Sequence, residues 1–89
     1  MLVQVEVEFS AVPPPDVMEN VRQAGIILAR DPHSVAVRRG ETSRRKPAIL
    51  LDFETKTQPQ YKVVDHIYRT VHSCGAGKFY NDMVIRFPK

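Results

Sequence analysis

The segment RTVHSCGAGKFYND, residues 69–82, contains the residue types that most often carry out chemistry. Cys74 is the only cysteine of the chain, His72 lies two positions before it, and a Gly-Ala-Gly-Lys sequence follows. A cysteine with a histidine can form a nucleophile and its general base. A glycine-rich loop that ends in lysine can instead hold phosphate groups. The spacing of these residues decides whether either chemistry is available.

The phosphate-binding pattern fails at two positions. It requires a glycine where this chain has His72, and a serine or threonine where it has Phe79. The segment also follows a predicted helix, and the C-terminal end of a helix repels anions. The sequence therefore excludes a phosphate-binding loop of this type.

The cysteine and the histidine point in different directions on the predicted helix. With 3.6 residues per turn, His72 lies about 200° from Cys74. Cys74 continues an apolar stripe, where a thiol behaves as a small hydrophobic group. Gly75 and Gly77 are suited to ending the helix. We predict a structural role for Cys74 and a helix end in this segment.

The three histidines, His33, His66 and His72, do not form a recognisable site. Zinc-binding pairs on a helix are spaced by three or four residues, and His66 and His72 are further apart than that. We predict no catalytic residue, no metal and no cofactor. An enzyme would use His33, His66 or His72 in a cleft that forms only in three dimensions.

A basic cluster is the most unusual charge feature. Its five cations are Arg38, Arg39, Arg44, Arg45 and Lys46. The polar segment 40–43 predicts a turn, so we expect the two arginines before it to lie opposite the three cations after it on a β-hairpin. Such a hairpin can contact phosphates or carboxylates. Alternatively, its charges only protect a sheet edge from aggregation.

The composition is that of one ordinary globular domain. The chain has 89 residues, 43% hydrophobic and 26% charged, with a net charge of +3. Chains of this length bury about 60–65% of their unfolded surface, which leaves room for one core. A single cysteine forms no internal disulfide, and we expect neither a signal peptide nor a membrane-spanning segment. These features predict a soluble cytoplasmic domain over residues 1–89. Its positive net charge is compatible with an anionic partner but does not require one.

The first elements follow from hydrophobic periodicity. Residues 2–9 alternate apolar and polar side chains, which predicts a half-buried strand. Asp16 can cap a helix, with Glu19 three positions on as its capping-box partner. The apolar face of this helix continues to Ala24, and the helix ends at Gly25. Residues 26–30 then either extend this helix or form a strand paired with the segment that follows. We favour the strand, because Gly25 costs about 1 kcal/mol inside a helix and adjacent isoleucines suit a sheet.

The second half of the chain predicts a strand, a helix and a strand over residues 48–54, 60–74 and 82–87. The helix carries an apolar stripe formed by Val64, Ile67, Tyr68, Val71 and Cys74. The open face of the sheet carries polar residues and lacks an aromatic platform for nucleic-acid bases. These polar residues are Gln4, Glu6, Glu8, Asp52 and Arg86.

These elements predict an α+β fold with the order β-α-(β)-β-β-α-β. Two helices pack on one face of a four- or five-stranded, mostly antiparallel sheet. If residues 26–30 are helical, the arrangement is the split βαβ of ferredoxin-like domains. If they form a strand, a three-stranded meander lies between the helices.

The segment PAILLDFETKTQPQYKVVDHIYRTVHSCGA resembles the periplasmic domain of ExbD/TolR-type transport proteins. In that family, a strand ending in aspartate leads to a helix that contains a tyrosine and paired valines and closes with a glycine. The counterparts here are Asp52, Tyr61, Val63, Val64 and Gly75. The separation between Asp52 and Tyr61 is longer than in that family. The resemblance covers about a third of the chain and implies a periplasmic-type domain.

Three hypotheses about function follow. We expect a non-enzymatic binding module that engages nucleic acid or an acidic protein surface through the basic hairpin. The alternative is a structural or assembly protein that pairs a sheet edge with a second copy or with a partner. A lesser alternative is the ExbD/TolR-like periplasmic-type domain that the resemblance implies.

Overall fold

The computed structural model describes residues 2–56, 60–73 and 77–88. Within these ranges the chain forms four strands and two α-helices. The strands are β1 (Leu2–Phe9), β2 (Ala36–Glu41), β3 (Pro47–Glu54) and β4 (Tyr80–Arg86), and the helices are α1 (Pro15–Ala29) and α2 (Gln60–Ser73). Short 3-10 turns, Pro32–Ser34 and Gly77–Phe79, precede β2 and β4. Neither helix in the described ranges is long and apolar enough to cross a membrane.

The four strands form one antiparallel sheet in the order β2-β3-β1-β4. β1 is therefore an interior strand, with Val5 opposite Leu51 of β3 on one side and Ile85 of β4 on the other. The predicted α+β class is confirmed. The described residues contain four strands, so the five-stranded alternative is wrong.

The core lies between the helices and one face of the sheet. The alternation of β1 places Val3, Val5, Val7 and Phe9 on that face, where all four side chains are buried. Helix α1 contributes Val17, Val21, Ala24 and Leu28 to the same cluster, and α2 contributes Val63, Ile67 and Val71. These spacings of three and four residues follow the helical period, so each helix turns one apolar stripe toward the sheet.

Residues 26–29 belong to α1, so the predicted strand over residues 26–30 is wrong. The helix continues through Gly25 to Ala29, and Arg30 closes it in a left-handed conformation with φ 59°. The N–H of Arg30 donates to the carbonyl oxygen of Ile26 at 2.8 Å. Gly25 is buried, and a Cβ atom built on it would lie 2.8 Å from Leu51 Cδ1. Glycine is inside the helix because the helix approaches the sheet too closely there for a side chain.

The helix N-terminus also differs from the prediction. Pro14 occupies the N-cap position, and no side chain there caps the helix. Proline suits the first helical position, Pro15, because its missing N–H would have no partner in the helix. Glu19, expected to complete a capping box with Asp16, instead accepts hydrogen bonds from Arg22 and Gln23. These bonds lower the pKa of Glu19 to about 2.

The buried face of α2 is rotated from the predicted stripe. Val63 is fully buried, whereas Val64 is only half-buried and Tyr68 is 43% exposed. Ile67 and Val71 are buried as predicted. Two adjacent valines fit two different helical stripes equally well, so periodicity alone does not decide which of them faces the sheet. The predicted roles of Cys74 and Gly75 lie outside the described residues.

Candidate binding site at the basic hairpin

A tight hairpin joins β2 to β3 through residues 42–46. The N–H of Thr42 donates to the Lys46 carbonyl oxygen at 3.0 Å, and the Arg45 N–H donates to the Thr42 carbonyl oxygen at 2.9 Å. The Thr42 hydroxyl oxygen also accepts from the Arg44 and Lys46 N–H groups, each at 3.3 Å. Thr42 is buried, and its bonds fix the backbone from which the three hairpin cations project.

Arg45 adopts a left-handed backbone conformation with φ 59°. This is the position at which three-residue hairpin loops normally have glycine, and a residue with a Cβ atom is strained there by about 1–2 kcal/mol. The hairpin hydrogen bonds around Thr42 hold Arg45 in this conformation. The Arg45 side chain is therefore presented from a fixed backbone position.

The five predicted cations do not form one group. Arg38 is opposite Leu50 and Arg39 is opposite Ile49 in the register of β2 and β3. The expectation that these arginines face the three later cations across the hairpin is therefore wrong. Because neighbouring residues of a strand alternate between faces, Arg39 lies on the helix side with Ile49 and Arg38 lies on the open face.

Arg44 is engaged within the protein. Its guanidinium group lies 2.7 Å from the Glu8 carboxylate on β1 and 3.4 Å from the Asp82 carboxylate on β4. Asn81 also donates a hydrogen bond to Glu8. Glu8 is only 3% exposed, although it lies on the open face as predicted. Arg44 thus links the hairpin to two other strands, which leaves four cations for an outside partner.

The pKa of Glu8 lies below its ordinary value of about 4.5. Burial alone would raise this pKa, because a carboxylate loses hydration when it is buried. Hydrogen bonds from Thr42 and Asn81 and the positive charge of Arg44 outweigh burial. The folded state therefore favours the ionised form of Glu8.

This shift predicts a pH dependence of stability. Because the pKa of Glu8 is lower in the folded than in the unfolded protein, its interactions stabilise the fold above about pH 4.5, and this stabilisation is lost as the pH falls further. We expect Glu8→Gln to lower the Tm at about pH 7 and to reduce the Tm difference between about pH 7 and about pH 3. Thermal unfolding followed by circular dichroism measures both quantities.

The matched control is Glu6→Gln, which changes the same residue type on the same strand and face. Unlike the Glu8 carboxylate, which accepts from Arg44 and Asn81, the Glu6 side chain makes no hydrogen bond within the described ranges. The control is therefore expected to keep the pH dependence of the wild type. If Glu8→Gln also keeps it unchanged, the network around Glu8 does not control acid stability.

A pocket of about 310 Å³ lies beside the hairpin. It is formed where the β1–α1 loop passes the ends of β2 and β3. Its lining consists of Val12, Pro13, Arg39, Gly40, Glu41, Arg45, Pro47, Ala48 and Ile49. Sequence reasoning missed this site, because the loop and the hairpin are far apart in the chain. The one local signal is Val12, an apolar residue before three prolines that is 66% exposed.

The histidines have separate surroundings. His33 lies in a 3-10 turn, and its N–H donates to Asp31. His66 Nε2 is buried and has no hydrogen-bond partner among the described residues. The His72 ring lies 4.0 Å from the Tyr68 ring and packs closely over Gly77. In the described part of the chain, no three His, Cys, Asp or Glu residues are placed to hold a metal ion.

The resemblance to ExbD/TolR-type domains stays a prediction, as does each of the functional hypotheses. No family model matches the chain, and no match is found among curated proteins or solved structures.

Proposed function

We propose that this chain is a non-enzymatic binding module that engages an anionic partner through the basic hairpin. The observation that supports this function is the state of Arg38, Arg39, Arg45 and Lys46. All four are exposed, and none forms a salt bridge within the described ranges. Arg44, which ion-pairs with Glu8 and Asp82, has a structural role instead.

The arrangement of the four cations favours contact with an extended or curved anionic surface. Arg38 and Arg39 project from opposite faces of an edge strand, and Arg45 and Lys46 project from the loop beyond them. Either nucleic-acid phosphates or the carboxylates of an acidic protein supply the opposing charge. In both cases binding weakens as salt screens the charges.

The test is fluorescence anisotropy with labelled single-stranded RNA, single-stranded DNA and polyglutamate at two salt concentrations. If all four cations make phosphate contacts, we expect the logarithm of nucleic-acid affinity to fall with the logarithm of salt concentration with a slope of about −3. A variant with Arg38→Gln, Arg39→Gln, Arg45→Gly and Lys46→Gln should lose this binding and most of the slope.

A control variant removes the same number of positive charges elsewhere. Lys56, Lys62, Arg69 and Lys78 are exposed residues outside the hairpin, and each is changed to glutamine. We expect this variant to retain most of the binding. Equal losses of binding in the two variants would show that net charge alone attracts the probe. If no probe binds at low salt, the proposed function is rejected.

Assembly through a sheet edge is the second candidate. It is supported by the position of β2 and β4 at the two ends of the strand order, because an edge strand has backbone donors and acceptors that no neighbour satisfies. Light scattering separates this candidate from the first. A particle size that rises with protein concentration and does not respond to salt would favour assembly.

We also propose the ferredoxin-like arrangement as the finer description of the fold. It is supported by the connection of β1 to β2 through α1 while β3 lies between them in the sheet. The connection of β3 to β4 through α2, with β1 between them, supports it in the same way. Two such split βαβ units define that arrangement.

A further inference from the structure

The lining of the pocket beside the hairpin combines apolar and charged residues. The apolar lining residues are Val12, Pro13, Pro47, Ala48 and Ile49. Arg39 and Arg45 supply two positive charges, and Glu41 is the one acidic residue among the described residues of the lining. A volume of about 310 Å³ is at the lower end of the range for ligand sites. The site therefore suits a small apolar group that carries negative charge beside it.

The chemistry of the lining favours a peptide over a nucleic acid. Bases in single-stranded nucleic acids bind by stacking on aromatic rings, and none of the described residues that line this pocket is aromatic. Its proline, valine, alanine and isoleucine side chains instead suit an aliphatic side chain. The two arginines can each form paired hydrogen bonds with a carboxylate.

The neighbouring strand provides a surface for an extended chain. Residues 39–41 of β2 line the pocket, and β2 is one of the two edge strands of the sheet. Half of the backbone donors and acceptors of such a strand point away from its single neighbour. An extended peptide can add to this edge while its alternate side chains reach the pocket.

We propose that the pocket binds an acidic peptide segment of a partner protein. An aliphatic side chain of the segment occupies the pocket, and flanking carboxylates pair with Arg39 and Arg45. This inference rests on the proposed function and narrows the anionic partner to an acidic, partly apolar peptide. It also assigns different roles to adjacent residues, since Arg39 lines the pocket and Arg38 does not.

The probe is a fluorescein-labelled ten-residue peptide of alternating glutamate and leucine, measured by anisotropy against the wild type and three variants. We expect Arg39→Gln and Arg45→Gly each to weaken binding about ten-fold, because each removes a charge-assisted contact. Arg86→Gln removes the same charge from β4, at the other end of the strand order, and should change binding by less than about two-fold.

Arg45→Gly shows whether a loss of binding comes from a lost contact or from a less stable fold. Glycine relieves the strain of the left-handed conformation at residue 45, so the Tm of this variant should equal or exceed that of the wild type. A loss of binding in a variant of unchanged or higher Tm is then a loss of the contact itself. Arg39→Gln provides an independent test that does not depend on the hairpin turn.

A second peptide, with serine in place of leucine, tests the pocket. We expect it to bind at least ten-fold more weakly than the glutamate–leucine peptide, because serine leaves the apolar lining uncovered. In nuclear magnetic resonance spectra, the amide signals of Val12, Gly40 and Ile49 should shift with the leucine peptide and not with the serine peptide.

The outcomes distinguish this inference from the proposed function. Equal binding of the two peptides would reject the pocket and leave only general attraction to the hairpin. Equal losses in Arg86→Gln and Arg39→Gln would also reject the pocket. Binding of a single-stranded oligonucleotide without binding of either peptide would also reject the pocket while retaining an anionic partner. If no probe binds at low salt, both proposals fail.

Discussion

Phe53→Ala is expected to lower the free energy of unfolding by about 3–5 kcal/mol. Phe53 lies on β3, opposite Val3 of the neighbouring strand β1, and is completely buried. Removing its ring leaves a cavity in the hydrophobic core. The loss combines the lost burial of the ring with the cost of the unfilled space. Small domains have a total stability of about 5–15 kcal/mol, so this single change would remove a large part of it.

Urea denaturation followed by circular dichroism measures this loss. Phe53→Leu is the control, because it keeps an apolar side chain at the site and should cost less than about 1.5 kcal/mol. A cost below about 1 kcal/mol for Phe53→Ala would contradict a close-packed core at this position.

The second large effect is expected from Gly25→Val, which should destabilise the protein by about 3 kcal/mol. A Cβ atom at residue 25 would lie 2.8 Å from Leu51 Cδ1 and 3.1 Å from Val35 Cγ1, which is too close for both neighbours. Valine adds two further carbon atoms at this place. The higher helix propensity of the new residue offsets less than about 1 kcal/mol of the overlap.

A double-mutant cycle tests the cause of this loss. Leu51→Val removes the Cδ1 atom that the new side chain would meet, so the double variant should lose less stability than the sum of the two single changes. Ile27→Val serves as the control on the helix, because Ile27 is 62% exposed and its change should cost less than about 0.5 kcal/mol. Strict additivity in the cycle would show that Leu51 does not restrict residue 25.

The hydrophobic periodicity of a segment predicted those elements whose form depends on that segment alone. The alternation over residues 2–9 predicted β1 and the face it buries, because a strand has the same period wherever it lies in a sheet. Gly25 misled the prediction because it serves a distant contact. Because glycine has no side chain, the helix can approach Leu51 of β3 closely at this position. The usual preference of glycine, considered alone, places it at a helix end. Leu28 lies eleven residues after Val17, which is about three helical turns, so the two residues share one face of a helix. This spacing was the signal that the helix continues past Gly25.

The candidate site was predictable only in part. The hairpin and its cations follow from a turn between basic residues, and the structure places a hairpin there. The sequence does not show that Arg44 meets Glu8, because their proximity depends on the pairing of β1 with β3. The pocket depends in the same way on Val12 and on a hairpin that comes later in the chain. Contacts between distant segments require the tertiary fold, and the pattern within one segment does not contain them.

The strand order has a consequence for the protein during its synthesis. Of the four strands, β1 leaves the ribosome first and β4 leaves last. The two strands pair from Gln4 opposite Arg86 to Phe9 opposite Tyr80. Contacts between such distant parts of a chain form slowly, because a long loop must close first. One edge of the valine-rich β1 strand therefore stays without its partner until β4 has been synthesised. In that interval the nascent chain has an unpaired strand edge. Unpaired edges of this kind promote aggregation, and chaperones protect them.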